Sequence, residues 1–153
     1  MFIEQQNFSG QFSEIAFLAS DLFGALSPAA HDSLRAVTLD KEFAKDETIF
    51  ADGEPTSGVY ILRIGEAQIL YRGDRKVHLI KPDEILGLTE TVANLPFESS
   101  VKTLSACRFQ FISRAAFLAF LGDEPETCFR LLRMLGANLH KLYRFFHETG
   151  KNN

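Results

Sequence analysis

The sequence predicts a mainly β domain with helices at both ends (α+β), and three observations carry that prediction. From about residue 38 to 112, short runs rich in Val, Ile, Phe, Tyr and Thr alternate between apolar and polar positions. Turn signals separate them at Asp52-Gly53, Ser57-Gly58, Ile64-Gly65 and Gly73-Asp74. On either side the apolar spacing lengthens to a helical period, and the final segment keeps it for the longest run of all. About eight strands with turns roughly every 8–12 residues fit a small sandwich, roll or barrel. Rolling the sheet hides strand edges and encloses a cavity.

Residues 1–11 are polar and are expected to be a flexible N-terminal tail. The 153 residues provide for one domain with a sizeable core, expected over residues 12–149. "FSEIAFLASDLFGALSPAAHDSLRAV" reads as helical. Ile15, Leu18 and Leu22 share a face, Ser27-Pro28 supplies an N-cap with Pro at the first helical position, and Leu34 and Val37 continue the stripe. "VTLDKEF" alternates as a strand. Further strands are expected at Thr48–Phe50, Val59–Ile64, Ala67–Tyr71 and Lys76–Ile80, before Gly87, and in "ESSVKT" and "CRFQFI". Ser113 caps a short helix, "RAAFLAFLGDEP", broken at Gly122–Pro125. A long helix follows over about residues 125–149, with Gly150 as its C-cap.

That last helix carries two apolar stripes. Cys128, Leu132, Leu135, Leu139, Leu142 and Phe146 alternate in steps of four and three, as a coiled-coil seam does. Leu131, Met134 and Phe145 form a second stripe that can face the sheet. A helix with two apolar faces needs two partners, and a second copy of the same helix is the simplest second partner, so a homodimer is expected.

The composition excludes several functions. With 16 basic and 20 acidic residues the chain lacks the cationic surface of a non-specific nucleic-acid binder. The start has neither a basic region nor an apolar core of a signal peptide, and no apolar run reaches the length of a membrane span, so a cytoplasmic location is expected. Cys107 and Cys128 sit among apolar residues and read as reduced core thiols, too few for a disulfide framework. His31, His78, His140 and His147 are scattered, without metal-ligand spacing, so no metal site is expected. The Asp83-Glu84 and Glu124–Glu126 acids fit a turn and a helix N-terminus. No nucleophile motif or phosphate loop is present and no catalytic residue is expected: the chain does not read as an enzyme.

"FAKDETIFADGEPTSGVYILRIGEAQIL", with Gly53-Glu54, Val59–Leu62 and Gly65, together with "KPDEILGL" and "VKTLSACRFQFISRAAFLAFL", resembles the cyclic nucleotide-binding sensor domain of the catabolite-activator/Fnr family of bacterial regulators. The resemblance covers residues 12–149. It implies a double-stranded β-helix, or jelly-roll β-roll, with N-terminal helices and a long C-terminal dimerisation helix. It also implies a small effector, a cyclic nucleotide or another small molecule, and no certain cofactor.

In members that bind cyclic AMP or GMP, a Gly-Glu pair and an Arg-Ser/Thr-Ala run form the phosphate cassette. The glutamate holds the ribose hydroxyl and the arginine the phosphate, because a buried oxyanion calls for a guanidinium fork and several N–H donors. This sequence keeps the glycine as Gly87. The glutamate position is Leu88, and Thr89 follows; the arginine position is Phe97, followed by Glu98, Ser99 and Ser100. The adenine-contacting polar pair falls on Leu142 and Tyr143, of which Tyr143 can still stack or donate. Losing a charge-assisted pair to a buried anion costs about 3–5 kcal/mol. Glu98 beside the phosphate would add repulsion.

The chain therefore reads as a non-enzymatic sensor domain whose pocket is altered for cyclic nucleotide and whose roll passes ligand occupancy to the last helix. A lesser reading is that backbone N–H groups after Gly87, with Ser99 or Ser100, still hold an anion. The alternative is a ligand-free dimerisation and protein-interaction module on the same fold. Family regulators continue into a helix-turn-helix domain, so DNA binding would lie outside these residues.

Overall fold

The computed structural model describes residues 16–73 and 75–151, without the side chains of 149–151. The tail expected at 1–11 and the helical face expected at Ile15 lie outside the described residues. The elements in chain order are β1 (Phe17–Leu18), α1 (Ala19–Phe23), α2 (Pro28–Val37), β2 (Leu39–Phe43), β3 (Thr48–Phe50), β4 (Gly58–Ile64), β5 (Ala67–Tyr71), β6 (Val77–Ile80), β7 (Glu84–Leu86), α3 (Leu88–Ala93), β8 (Ser99–Thr103), β9 (Cys107–Ser113), α4 (Arg114–Asp123) and α5 (Pro125–Lys151).

Antiparallel pairing builds a five-stranded sheet, β1-β7-β4-β9-β2, and a four-stranded sheet, β3-β8-β5-β6. Alternation decides which side chain goes where. On β4, Tyr60 and Leu62 enter the space between the sheets, while Val59 and Ile61 face the helices. Both faces of this strand are covered, so it reads as a continuous apolar run. The roll interior is aromatic: Phe50, Tyr60, Phe97, Phe109 and Phe111, with Phe43 against them. Lys41 closes one side with its ammonium 3.9 Å from the centre of the Phe111 ring, a cation–π contact. The second core lies outside the five-stranded sheet, where Leu22, Phe117, Leu121 and Leu131 cover Val59, Ile61 and Ile112.

Two helix starts follow the sequence. Ser27 and Ser113 each accept a hydrogen bond from the amide three residues on, Ala30 and Ala116, at 3.2 Å. Two expectations are corrected. The N-terminal helical segment is not continuous: Phe17 and Leu18 pair with Ile85 and Glu84 as a strand, and the helix begins only at Ala19. Pairing to the β7 edge satisfies that backbone better than another helical turn would, so tertiary contact overrides periodicity. At the other end, Gly150 lies within α5, which runs to Lys151.

Asp83 fastens the N-terminal helices to the sheet. Its carbonyl accepts from the Ala19 amide at 2.8 Å, and its own amide donates to Leu62 at 2.8 Å. Its carboxylate accepts from the Ser20 amide at 3.2 Å, the Ser20 hydroxyl, and Arg63 at 3.1 Å. Partial burial pushes this carboxyl up, but the Ser20 hydrogen bonds and the Arg63 guanidinium together hold it below its usual range. A lowered folded-state value means that the stabilisation is complete above the unfolded value, near pH 4, and is lost as pH falls through the folded one. D83N keeps the backbone, since Asn tolerates the positive φ of 79° found here. It is expected to cost about 1–2 kcal/mol at neutral pH and to flatten the acid limb of a stability-versus-pH curve. Denaturant melts of both proteins from pH 7 to 2 check this; parallel curves would count against it.

Candidate functional site: the turn between β7 and β8

Gly87 sits where β7 turns into α3, at φ 79° and ψ 15°. A Cβ there would stand 2.9 Å from the Phe97 ring and 3.0 Å from the Gly58 carbonyl, so both conformation and space demand glycine. The α3 turn is anchored from below. Thr91 is fully buried, its amide donates to the Gly87 carbonyl at 2.9 Å, and its hydroxyl meets that of Thr56 at 3.2 Å. Arg114, at the start of α4, donates to the Thr91 carbonyl at 3.0 Å and ties this turn to the helical layer.

The Phe97 ring fills the space above the turn. It is 1% exposed and stacks on Phe50, with centroids 3.9 Å apart and planes 14° from parallel. Its backbone is pinned on both sides: the amide donates to Glu54 at 2.9 Å, and the carbonyl accepts from Gly53 at 2.8 Å. Alternation fixes the rest of the segment. Phe97, Ser99 and Val101 turn inward, and Glu98 is exposed. The carboxylate expected to repel an anion inside the roll therefore lies outside it, next to Arg72, whose amide donates to the Glu98 carbonyl at 2.8 Å. Ser100 accepts from the Asp52 amide at 2.9 Å.

The other positions separate. Leu88 is buried, but in the core beneath the helices rather than in the roll with Phe97. Thr89 is exposed, with its hydroxyl 3.1 Å from Glu90. Leu142 is half-buried; Tyr143 is exposed on α5 and stacks on His147 at 5.9 Å. The turn thus brings Gly87 and Phe97 into contact and leaves Leu88, Glu98 and Tyr143 facing elsewhere.

Sequence reasoning missed the pair that closes the outer side, Asp52 with Arg72. Two guanidinium nitrogens of Arg72 reach the Asp52 carboxylate, the Nε at 2.9 Å and 3.1 Å. The hydrogen bond from Arg72 holds the Asp52 carboxyl below its usual range. Twenty residues separate the partners, and they meet because β3 and β5, whose ends they follow, both pair with β8. Phe50, the stacking partner of Phe97, was legible only as an alternating strand residue. Chemically, the turn offers backbone amides beneath an aromatic lid, and the side chains packed against that lid, Phe50 and Leu86 among them, are apolar.

On α5 the predicted seam divides. Leu131 and Met134 face the helical core as expected, and Cys128 and Leu135 of the seam also pack partly against it. Leu132, Leu139 and Phe146 are exposed along one face, at 62%, 69% and 57%.

Comparison with known proteins bears on this fold. Residues 40–124 match the family model of the cyclic nucleotide-binding domain. The chain is 27% identical over 124 residues to a CRP-like cAMP-activated global transcriptional regulator of Mycobacterium tuberculosis, covering 78% of this chain and 55% of that protein. It thus spans about half the length of the curated relatives it matches. Among solved structures it superposes on the catabolite activator protein of Thermus thermophilus with a TM-score of 0.75 at 18% identity, covering 86% of this chain and 63% of that one. The sensor domain of the transcriptional regulator DNR from Pseudomonas aeruginosa gives a TM-score of 0.68 at 24% identity, covering 78% and 81%. With the jelly-roll sheets, the glycine turn between β7 and α3 and the long terminal helix all in place, the chain belongs to the cyclic nucleotide-binding domain family.

Proposed function

We propose that residues 12–149 form a non-enzymatic sensor and regulatory domain of a transcription regulator of the catabolite-activator/Fnr type, with a phosphate cassette altered so that it binds cyclic AMP or GMP weakly or not at all. The observation that carries this is the Phe97 ring, stacked on Phe50 and in contact with Gly87, in the position where the family arginine would hold a phosphate. A cyclic phosphate brought there would meet two aromatic faces instead of a guanidinium, and would have to displace a buried ring to reach the Gly87 turn. The absence of any nucleophile motif in the sequence supports a regulatory rather than a catalytic role. The chain acts as a homodimer joined through the exposed face of α5, and the roll would pass effector occupancy to that helix.

Thermal melting with millimolar cyclic AMP and cyclic GMP tests the cassette. A ligand at a hundred times its dissociation constant stabilises by about 2.7 kcal/mol, which for a domain of this size is several degrees. The expected shift is under about one degree. A shift of several degrees with either nucleotide overturns the reading, since the backbone turn would then suffice.

A further inference from the structure

The described residues enclose a cleft of about 380 Å³ away from the cassette, between the α1–α2 pair and the outer face of the five-stranded sheet. Its size is that of a small-metabolite site. Its floor is apolar, from Phe23, Leu34, Ile61 and Ile112, and its rim is charged. Two of the rim charges are already matched, because Arg63 is held by Asp83 at 3.1 Å and by Gln110 at 2.6 Å. The other two are not. Among the described residues Arg35 reaches only the Nδ1 of His31, one turn back on α2, at 3.4 Å, and no carboxylate. Asp40, at the second residue of β2, has no side-chain hydrogen bond or ion pair among the described residues. An arginine and an aspartate therefore line one cleft without meeting each other, above an apolar floor.

We propose that this cleft binds a zwitterion with an apolar side chain, that is, a free apolar or aromatic amino acid. The carboxylate goes to the open fork of Arg35, the ammonium to Asp40, and the side chain to the Phe23–Leu34–Ile61 floor. A plain anion would leave Asp40 facing it unmatched, and a plain cation would do the same with Arg35. The site is placed to affect the long helix. Ala19, Ser20 and Phe23 of α1 line the cleft, while the next residue along, Asp21, accepts through its carbonyl from Arg130 of α5 at 3.3 Å. A ligand seated against Phe23 would brace α1 and, through Asp21, steady the foot of α5. This proposal is independent of whether the cassette binds a nucleotide.

Isothermal titration of the full chain tests it with four probes: L-phenylalanine, L-leucine, 3-phenylpropanoate, which lacks the ammonium, and phenethylamine, which lacks the carboxylate. Both amino acids are expected to bind saturably, and each one-charge analogue about tenfold to a hundredfold more weakly. R35Q should reduce L-phenylalanine to the level of phenethylamine, and D40N to that of 3-phenylpropanoate. Both side chains are exposed, so the variants should fold with nearly unchanged thermal midpoints. No saturable heat from either amino acid at about 10 mM, where even a millimolar site fills, overturns the proposal. So does equal binding of either analogue, or binding untouched by both substitutions.

Discussion

F97A is expected to destabilise the domain by about 3–5 kcal/mol, lowering the thermal midpoint by roughly 6 to 20 °C. The ring is 1% exposed and packs on one side against Phe50, 3.9 Å away between centroids, and at its edge against the Gly87 turn. Truncation removes the transfer energy of a phenyl group and leaves a void that the surrounding strands can close only in part. Phe97 is fixed by backbone hydrogen bonds to Gly53 and Glu54 on one side and leads directly into β8 on the other. The void would be lined by Phe50, Leu86, Tyr60 and neighbouring aromatics, so it should stay dry and accept a small apolar guest. Benzene should therefore raise the midpoint of F97A and leave that of the parent protein unchanged. A loss below about 1 kcal/mol, or no benzene response, would mean that the ring does not fill the roll, and the proposed exclusion of cyclic nucleotides would lose its physical basis. A large loss with guest rescue supports the proposal: Phe97, at the position where the resemblance places a phosphate-pairing arginine, serves as a core residue.

The fold was legible because its determinants are local. Period-two runs, glycines at forced turns and two serine caps each mark an element by chemistry within a few residues. β3 and β5 appear at Thr48–Phe50 and Ala67–Tyr71 as the sequence predicts. The misreading at Phe17–Leu18 has a non-local cause: the partner that makes these residues a strand lies at Glu84–Ile85. The same distinction holds at the site. Gly87, Leu88 and Phe97 could be singled out by spacing. Whether two of them share a cavity depends on which side of the five-stranded sheet each faces, and Leu88 and Phe97 turn out to lie on opposite sides. Glu98 could not be placed without the inward–outward phase of the segment leading into β8, and the Asp52–Arg72 pair not without the strand pairing. Side-chain identity is written locally, whereas facing is set by register with a distant strand.

L139E is expected to convert the protein from dimer to monomer. Leu132, Leu139 and Phe146 are spaced seven apart on α5 and exposed, whereas Leu131 and Met134 of the same helix are packed in the helical core. An apolar ridge with this repeat on a helix of 27 residues matches the knobs of an antiparallel or parallel helix pair. In a symmetric seam each substitution acts twice. Removing a buried leucine from both copies forfeits about 3–6 kcal/mol, roughly two to four powers of ten in dissociation constant, before any repulsion between the facing glutamates is added. Leu139 belongs to neither core, so the isolated domain should stay folded; L131E, at 4% exposure inside the helical core, should instead unfold it. Sedimentation equilibrium across micromolar concentrations separates these outcomes. A parent protein that is monomeric near 100 µM, about the upper end for a stable association, would rule out the dimer, as would an L139E variant with unchanged mass. The contrast between two adjacent leucines is the informative part: Leu131 and Leu132 are one residue apart and about 100° apart around the helix. L132E should therefore dissociate the dimer as L139E does, while L131E unfolds the domain, and the pair distinguishes the two faces within a single turn.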